Sequence, residues 1–273
     1  MGTPPEATMT KLKTAAVSTI LLLLCGGGAL AEELPSAEEE MKAAHHVRFY
    51  HGANARTTAT LTVESADGES VESQFVMFRY DVDDEDDGDQ KLLAYFTDGP
   101  AEGRSLLVYK HARAVDEGWV YEPELGSEQS VPADARTPFF GSHIYWEDLV
   151  GRPVDADEHV LENRALTYDT VRSTPRDPSR VEFDYYTTKI HRQRDAPMLV
   201  RYYKDDEVYR EVETRTVHRI QGYNTLIWVE VRDLDSGGKT VLYLDGTQYD
   251  VDGVDETLFA REALRGAPSE LMP

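Results

Sequence analysis

Residues 74–80 read Gln-Phe-Val-Met-Phe-Arg-Tyr, with large side chains at consecutive positions. In an extended chain Phe75 and Met77 point to one face, while Val76 and Phe78 point to the other. A strand that is apolar on both faces belongs to a sheet that is covered on each face or that curls around an interior. This run therefore predicts a sheet that is covered on both faces or curled, and an ordinary packed core is the alternative.

Similar runs recur on both sides of this stretch. Thr225–Arg232 is again apolar on both faces, and Asp67-Gly68 is typical of a hairpin turn. About eleven such runs, without the alternation of strands and helices that marks parallel sheets, predict a single antiparallel sheet. The remaining runs are Thr58–Val63, Lys91–Thr97, Ser105–His111, Gly118–Glu122, Leu166–Ser173, Arg180–Ile190, Met198–Tyr203, Val208–His218 and Lys239–Tyr249.

A helix of three to four turns is predicted to precede the strands. Ser36 followed three residues later by Glu39 is a capping-box pattern, which marks a helix start. Met41, Ala44 and Val47 then share one face at helical spacing. A second short helical stretch is predicted at the end of the chain, over residues 256–264.

The segment 137–150 separates the two groups of strands and lacks strand alternation. Its aromatic density and flanking glycines predict short helices that plug the curled sheet. An incompletely filled interior would be an apolar pocket; an ordinary packed core has the same composition. The apolar residues of this predicted lid are Phe139, Phe140, Ile144, Tyr145, Trp146 and Leu149. Candidates for the wall facing it are Phe75, Met77, Leu106, Val108, Trp119, Tyr121 and Trp228.

The charge of the chain excludes one class of partner. The formal net charge is −23, and no basic patch stands out, so nucleic acid would be repelled. In the acidic run 81–89, Asp83, Glu85 and Asp87 match three positions of a calcium loop. Ala94 stands where that loop needs a bidentate glutamate. The run is therefore predicted to be a solvated turn between strands.

No motif for catalysis or for a cofactor was found. The chain lacks the nucleophile-elbow, P-loop, dinucleotide-binding and zinc-protease patterns. The adjacent His45 and His46 point to different faces of a helix and do not form a metal pair. The sequence thus favours a binding protein over an enzyme, with no cofactor and no metal.

Residues 1–31 are predicted to be a cleavable secretory signal peptide, which leaves residues 32–273 as one domain. Lys11 and Lys13 precede an apolar stretch, and the sequence Ala29–Ala31 forms an A-x-A cleavage site. The apolar stretch is shorter than the ~20 residues that span a bilayer. An uncleaved anchor is the alternative, and Met9 is an alternative start.

Cys25 is the single cysteine and lies inside the predicted signal peptide. Lipid attachment there would need a small residue before it, where this chain has Leu24. Cleavage after Ala31 would leave a mature chain without cysteine, whose stability depends on a packed core.

Three parts of the sequence resemble the outer-membrane lipoprotein-sorting proteins. Phe140–Leu149, FGSHIYWEDL, is similar to that family's F-G-S-x-[FI]-[ST]-Y-E-D-L segment. Leu107–Tyr109 with Gly118–Pro123 resembles its W-x-Y-x-P strand, and Tyr249-Asp250 with 258–264 resembles its closing segment. The order of these segments agrees over residues 37–265.

The resemblance implies a LolA-like fold, a half-open antiparallel barrel with an N-terminal helix and short lid helices. It implies a periplasmic carrier of lipids or lipoproteins that contacts membranes transiently, with an inner-membrane transporter as a potential partner. A periplasmic sensor acting on an inner-membrane protein is the alternative function. The sequence departs from the family at Trp146, where tyrosine is usual, and at the acidic residues 124–128, where the family is often arginine-rich.

Overall fold

The computed structural model describes residues 1–2, 34–83, 87–132, 138–267 and 269–272. The chain divides into two units, residues 1–34 and Pro35–Pro273. The predicted signal peptide, its cleavage site and Cys25 fall outside the described residues, as does the middle of the acidic run. Among the described residues, no helix combines the length and the apolar character that crossing a bilayer requires.

Within the described ranges the second unit contains fourteen strands in one antiparallel sheet. The sheet runs in the order β6-β5-β4-β3-β2-β1-β13-β12-β11-β10-β9-β8-β7, and β14 pairs with β1. The strands are β1 (Asn54–Glu64), β2 (Ser70–Asp81), β3 (Gln90–Asp98), β4 (Ser105–Lys110), β5 (Glu117–Glu122), β6 (Ser127–Pro132), β7 (Asp157–Arg164), β8 (Tyr168–Pro175), β9 (Tyr185–His191), β10 (Ala196–Lys204), β11 (Glu207–Ile220), β12 (Tyr223–Asp233), β13 (Lys239–Tyr243) and β14 (Gln248–Tyr249).

The strand order leaves the sheet open, and register shifts contribute to its curl. Hairpins run outward from β1 in one direction and from β13 in the other, and the pairing of β1 with β13 joins the two halves. The edge strands β6 and β7 do not pair with each other. Register shifts in β10, β11 and β12 add local twist. The result is the half-open antiparallel barrel predicted from the sequence, with fourteen strands instead of about eleven.

Helix α1 (Ala37–Phe49) begins where the capping box predicted. The Ser36 hydroxyl accepts from the backbone N–H of Glu39, and the Glu39 carboxylate accepts from the backbone N–H of Ser36 at 2.7 Å. Met41, Ala44 and Val47 are buried and form the face that packs on the sheet. The helix therefore covers part of the inner face of the sheet, the face that the central segment also covers.

The two faces of the sheet carry separate hydrophobic cores. Phe75 and Met77 belong to the inner core, together with α1 and residues of the central segment. Val76 and Phe78 belong to an outer core that the C-terminal segment covers. The period-two reading of residues 74–80 is thus confirmed, and each face has its own cover.

The C-terminal cover consists of two 3₁₀ turns, Glu256–Phe259 and Arg261–Arg265, where one short helix was predicted. Side-chain hydroxyls of the sheet hold its backbone at 2.6 Å: Tyr95 donates to the carbonyl of Ala263, and Ser105 to that of Leu264. The Ala263 carbonyl also accepts from the backbone N–H of Gly266 at 3.1 Å, so the Tyr95 hydroxyl is its second donor. The outer cover is therefore tied to the sheet by polar as well as apolar contacts.

A buried group of charges fixes the first turns of α1 to β7 and β8. Arg164 lies 3.2 Å from the Glu40 carboxylate and 3.1 Å from that of Asp169, and Arg192 lies 3.5 Å from Asp169. Burial, together with the neighbouring carboxyl of Asp169, raises the pKa of Glu40 from its ordinary 4.5 to about 7. Protonated Glu40 can then donate to Asp169.

We expect this group to make stability pH-dependent. A raised folded-state pKa means that the native state holds a proton that the unfolded chain releases, so stability falls as the pH rises from about 4.5 to about 7. Glu40→Gln keeps a donor for Asp169 and should match the wild type near pH 5 but exceed its unfolding free energy at pH 8. Urea unfolding at both values measures this, with Glu38→Gln, on the exposed face of the same turn, as the control. If the unfolding free energies of Glu40→Gln and the wild type differ by the same amount at both pH values, the raised pKa assigned to Glu40 is wrong.

Candidate ligand-binding site

The central segment folds into two short turns joined by a sharp reversal. Phe139–Gly141 forms a 3₁₀ turn, and α2 covers Trp146–Val150. Phe140 (φ 45°) and Gly141 (φ 75°) both adopt left-handed backbone conformations. Such a conformation is rare for a bulky residue and costs energy, so packing of the Phe140 side chain must hold it in place. We call residues 138–151 the lid.

Aromatic contacts hold the first turn of the lid against the inner face of the sheet. The ring of Phe139 lies 5.8 Å from that of Phe75 and 5.5 Å from that of Phe96, measured between centroids. Phe140 meets Phe96 edge-on at 4.6 Å. Edge-to-face pairs of this kind add stabilisation beyond the area they bury. The lid thus fills part of the barrel interior with its own aromatic side chains.

The side chain of Trp146 packs the second turn of the lid against β5. Its side chain is buried, and a Cβ atom added at Gly118 would lie only 2.7 Å from two atoms of the indole ring. The backbone at Gly118 is not left-handed, so the glycine provides space and not conformational freedom. The indole ring therefore packs directly on the backbone of β5 at that point.

A buried ion-pair cluster, the latch, holds the lid to β11 and α1. The Asp148 carboxylate accepts from the backbone N–H of Tyr145 at 2.8 Å and pairs with Arg210, whose side chain is only 2% exposed. Arg48 lies 3.7 Å from the same carboxylate and donates to the backbone carbonyl of Asp148 at 3.1 Å. Burial acts to lower the pKa of Arg210, but the charge of Asp148 raises it overall. One carboxylate thus caps α2 and joins the lid to β11 and α1.

A cavity of about 110 Å³ lies between α1, the lid and the central strands. Met77, Leu92, Leu226 and Leu242 line it on the sheet side, and Leu149 lines it on the lid side. For comparison, an engineered apolar cavity of about 150 Å³ binds one benzene molecule. With the lid seated, the interior has room for less than one aromatic ring, so a larger apolar ligand would require the lid to move.

The structure brings most of the predicted site residues together. Phe139, Ile144 and Trp146 are buried in the inner core, and Phe140 and Leu149 pack against it half-buried. Tyr145 is half-buried beneath the guanidinium of Arg210, 4.6 Å from the ring centroid. Of the predicted wall residues, the inner core contains Phe75, Met77, Leu106 and Val108.

Three predicted wall residues lie elsewhere. Trp119 and Tyr121 pack in the outer core, because Gly118 and Val120 take the inward positions of β5. Trp228 is 41% exposed on the outer surface and meets Tyr243 there. Strand parity places Trp119 and Tyr121 on the outer face of β5. In β12, Leu226 lies in the inner core but Trp228, two residues later, lies outside, because a register shift with β11 separates these positions.

The acidic run is only partly the solvated turn that was expected. Asp87 accepts from the backbone N–H of Val154 at 2.8 Å and pairs with the buried Lys110 at 3.0 Å. Both carboxylate oxygens are thus engaged by protein donors. Within the described ranges no group of three or more His, Cys, Asp or Glu side chains is arranged to hold a metal ion.

The chain belongs to the protein family described as "-like: Uncharacterized protein", whose profile matches residues 88–266. No curated protein matches the chain.

Solved structures define the fold class as LolA-like. A DUF1329 family protein from Desulfovibrio piger superposes with a TM-score of 0.75 at 17% identity, over 85% of this chain and 100% of that one. A Vibrio parahaemolyticus domain whose description assigns it to outer membrane lipoprotein sorting gives 0.74 at 16% identity, over 84% and 98%. A LolA superfamily protein from Nitrosomonas europaea gives 0.64 at 12% identity, over 84% and 100%. The fold expected from the sequence resemblance is thereby confirmed.

Proposed function

We propose that this protein is a periplasmic carrier that shields the acyl chains of lipids or lipoproteins during transfer between membranes. The observation that carries the proposal is an apolar barrel interior closed by a lid whose aromatic side chains occupy it. Similarity to a lipoprotein-sorting domain and to a LolA superfamily protein supports the same class of cargo. The protein is proposed to act by binding alone, without catalysis or a cofactor.

The mechanism follows from the hydrophobic effect. Each CH₂ group removed from water contributes about 0.8 kcal/mol, so an acyl chain of roughly 16 carbons cannot cross water unshielded. In the closed state Phe139, Phe140 and Trp146 occupy the interior in place of the ligand. An acyl chain can enter by displacing these side chains, and its own apolar surface then replaces theirs against the wall. Exchange of one apolar surface for another keeps the free-energy difference between loaded and empty states small, which permits release.

The lid can move without disrupting the sheet. Its backbone forms no strand ladder. The contacts that hold it include the rings of Phe139 and Phe140, the Trp146–Gly118 contact, the latch, and hydrogen bonds between His143 and the Thr240 hydroxyl at 2.9 Å. Segments held by few contacts open at lower cost than strands paired on both sides. We infer that lid displacement is the step that admits cargo, with an inner-membrane transporter as the proposed partner that loads it.

Export and cleavage are part of the proposal. A soluble shuttle requires removal of residues 1–31, whereas acylation at Cys25 would tether the protein to one membrane and favour a sensor. The intact mass of the protein isolated from the periplasm distinguishes the two. A mass matching residues 32–273 supports the carrier, and a mass with added acyl groups contradicts it.

Charged substitutions in the lid should abolish lipid binding. In Phe140→Glu/Trp146→Glu the lid carries two carboxylates that cannot enter an apolar interior, so extraction of lipid from vesicles should fall at least about tenfold. Leu125→Glu/Val160→Glu, at exposed positions, adds the same charge elsewhere and is the matched control. If the lid variant folds and extracts as much lipid as the control, these residues do not form the lid of a lipid site.

A further inference from the structure

A second and larger cavity adjoins the outer side of the lid. It is a cleft of about 820 Å³, formed by the β4–β5 loop on one side and by residues 151–156 and 176–180 on the other. Tyr145, Trp146 and Val150 form part of its wall. The cleft thus spans the gap between the two halves of the open sheet, next to the element proposed to admit cargo.

The cleft is richer in arginine than the rest of this acidic protein. Four of its nineteen lining residues are arginines, whereas the whole chain has 28 lysines and arginines in 273 residues. The four are Arg113, Arg152, Arg176 and Arg180. The planar guanidinium groups of arginine donate in a fork that matches phosphate oxygens. Four acids line the cleft as well, namely Asp116, Glu147, Asp155 and Asp177, so its formal charge is zero. In a chain with a net charge of −23, a cleft without net negative charge repels an anion less than the average surface does.

Two of these arginines are available to a ligand. Arg152 is paired with Asp157 at 3.0 Å, and Arg176 donates to the backbone carbonyl of Asp155 at 3.1 Å. Among the described residues, no side-chain hydrogen bond or ion pair engages Arg113 or Arg180.

The carboxylates of the cleft compete weakly for these two arginines. Asp116 accepts from the backbone N–H of His111 at 2.8 Å, and Asp177 accepts from that of Ser179 at 3.1 Å. Both carboxylates are therefore engaged with the backbone, although the pKa of Asp177 is lowered by its hydrogen bonds to Ser179 and, to a smaller extent, by the charge of Arg180.

The spaces on the two sides of α2 differ in polarity as the two ends of an amphiphile do. On one side of α2, Ile144 and Leu149 line the cavity of the apolar interior. On the other side, Glu147 lines the arginine-bearing cleft together with Trp146, whose buried ring also belongs to the inner core. The two spaces are separated by one helix of five residues. A molecule with an apolar chain and an anionic head could occupy both at once when the lid moves.

We propose that this cleft binds the phosphate-bearing headgroup of the cargo, with Arg113 and Arg180 as its direct ligands. The inference rests on the proposed carrier function and narrows the cargo to anionic phospholipid-like molecules. The headgroup stays in the wet cleft while the acyl chains enter the interior, so neither part is buried in an environment of the wrong polarity.

The test compares two probes that share their acyl chains and differ in the phosphate. Transfer of pyrene-labelled phosphatidylglycerol and of pyrene-labelled diacylglycerol is measured between phosphatidylcholine vesicles. Arg113→Gln/Arg180→Gln is compared with Arg194→Gln/Arg219→Gln, which removes the same charge at exposed positions outside the cleft. Circular dichroism and the unfolding midpoint establish that each variant folds. Glycerol 3-phosphate and inorganic phosphate are added as soluble competitors.

The cleft variant should transfer phosphatidylglycerol at least about tenfold more slowly than the control, since the loss of even one hydrogen bond to a charged group contributes about that factor. Its transfer of diacylglycerol should be unchanged. Equal transfer of phosphatidylglycerol by the two variants overturns the headgroup site while leaving the carrier intact. If the wild type transfers neither lipid, the carrier function fails. The anion site then stands only if equilibrium dialysis detects glycerol 3-phosphate on the wild type and not on the cleft variant. Competition by inorganic phosphate alone identifies a free-phosphate site and overturns the lipid assignment.

Discussion

Gly118→Val is expected to displace Trp146 from β5 and to destabilise the protein by about 3 kcal/mol. The added Cβ would lie 2.7 Å from the indole ring, which is too close for both to remain. Because the ring is a principal contact of α2 with the sheet, its expulsion should also unseat the lid. The unfolding free energy in urea and the quenching of Trp146 by acrylamide measure the two effects, the latter in a Trp119→Phe/Trp228→Phe background that leaves Trp146 as the single tryptophan.

The control for this variant is Gly266→Val. Gly266 has an extended backbone, and a Cβ there meets no atom within 4 Å, so the substitution should change stability by less than about 0.5 kcal/mol.

In Gly118→Val, displacement of the lid should also make uptake of a fluorescent fatty acid faster than in the control. Unchanged stability and quenching in Gly118→Val would mean that Trp146 is not seated against β5.

Arg210→Met should cost about 3 kcal/mol or more, because it leaves the buried Asp148 carboxylate with a weaker partner. Arg48 remains 3.7 Å away and limits the loss. The double variant Asp148→Leu/Arg210→Met removes both charges and should recover most of this stability. It should also hold the lid less tightly, since no ion pair links α2 to β11.

Arg201→Met is the matched control for the latch. It breaks the pair with Glu211 at 2.7 Å, in which the arginine side chain is 46% exposed, so a loss below about 1 kcal/mol is expected. Double-mutant cycles on the two pairs isolate the interaction terms. A latch coupling as small as that of the surface pair would contradict the role assigned to Arg210.

Local sequence rules predicted the elements whose signals are themselves local. The capping box at Ser36 located α1 to the residue, and the two-faced pattern of residues 74–80 gave both cores. Strands β6 and β7 were missed because they are edge strands with mostly polar side chains. Edge strands bury little surface and therefore carry little apolar periodicity. The C-terminal cover was predicted as helical, but its 3₁₀ form depends on hydroxyl donors from β3 and β4.

The site was predictable only in part. The aromatic density of residues 138–150 identified the lid, and α2 lies inside it. The latch joins Asp148 to Arg210, 62 positions away, and no local pattern connects them. The role of Gly118 could not be predicted from the sequence for a related reason. The glycine is needed because the ring of Trp146, which is distant in the sequence, packs against it. Long-range partners of this kind require the strand order, which the sequence did not specify.

The measurement that tests the carrier proposal most directly is lipid analysis of the protein purified without detergent from the periplasm of its own cells. Mass spectrometry of the extract should detect acyl-chain lipid near one molecule per protein, and less than a tenth of that in Phe140→Glu/Trp146→Glu. Protein that is isolated free of lipid, and that also takes up none from vesicles, would contradict the proposal that this barrel carries acyl chains.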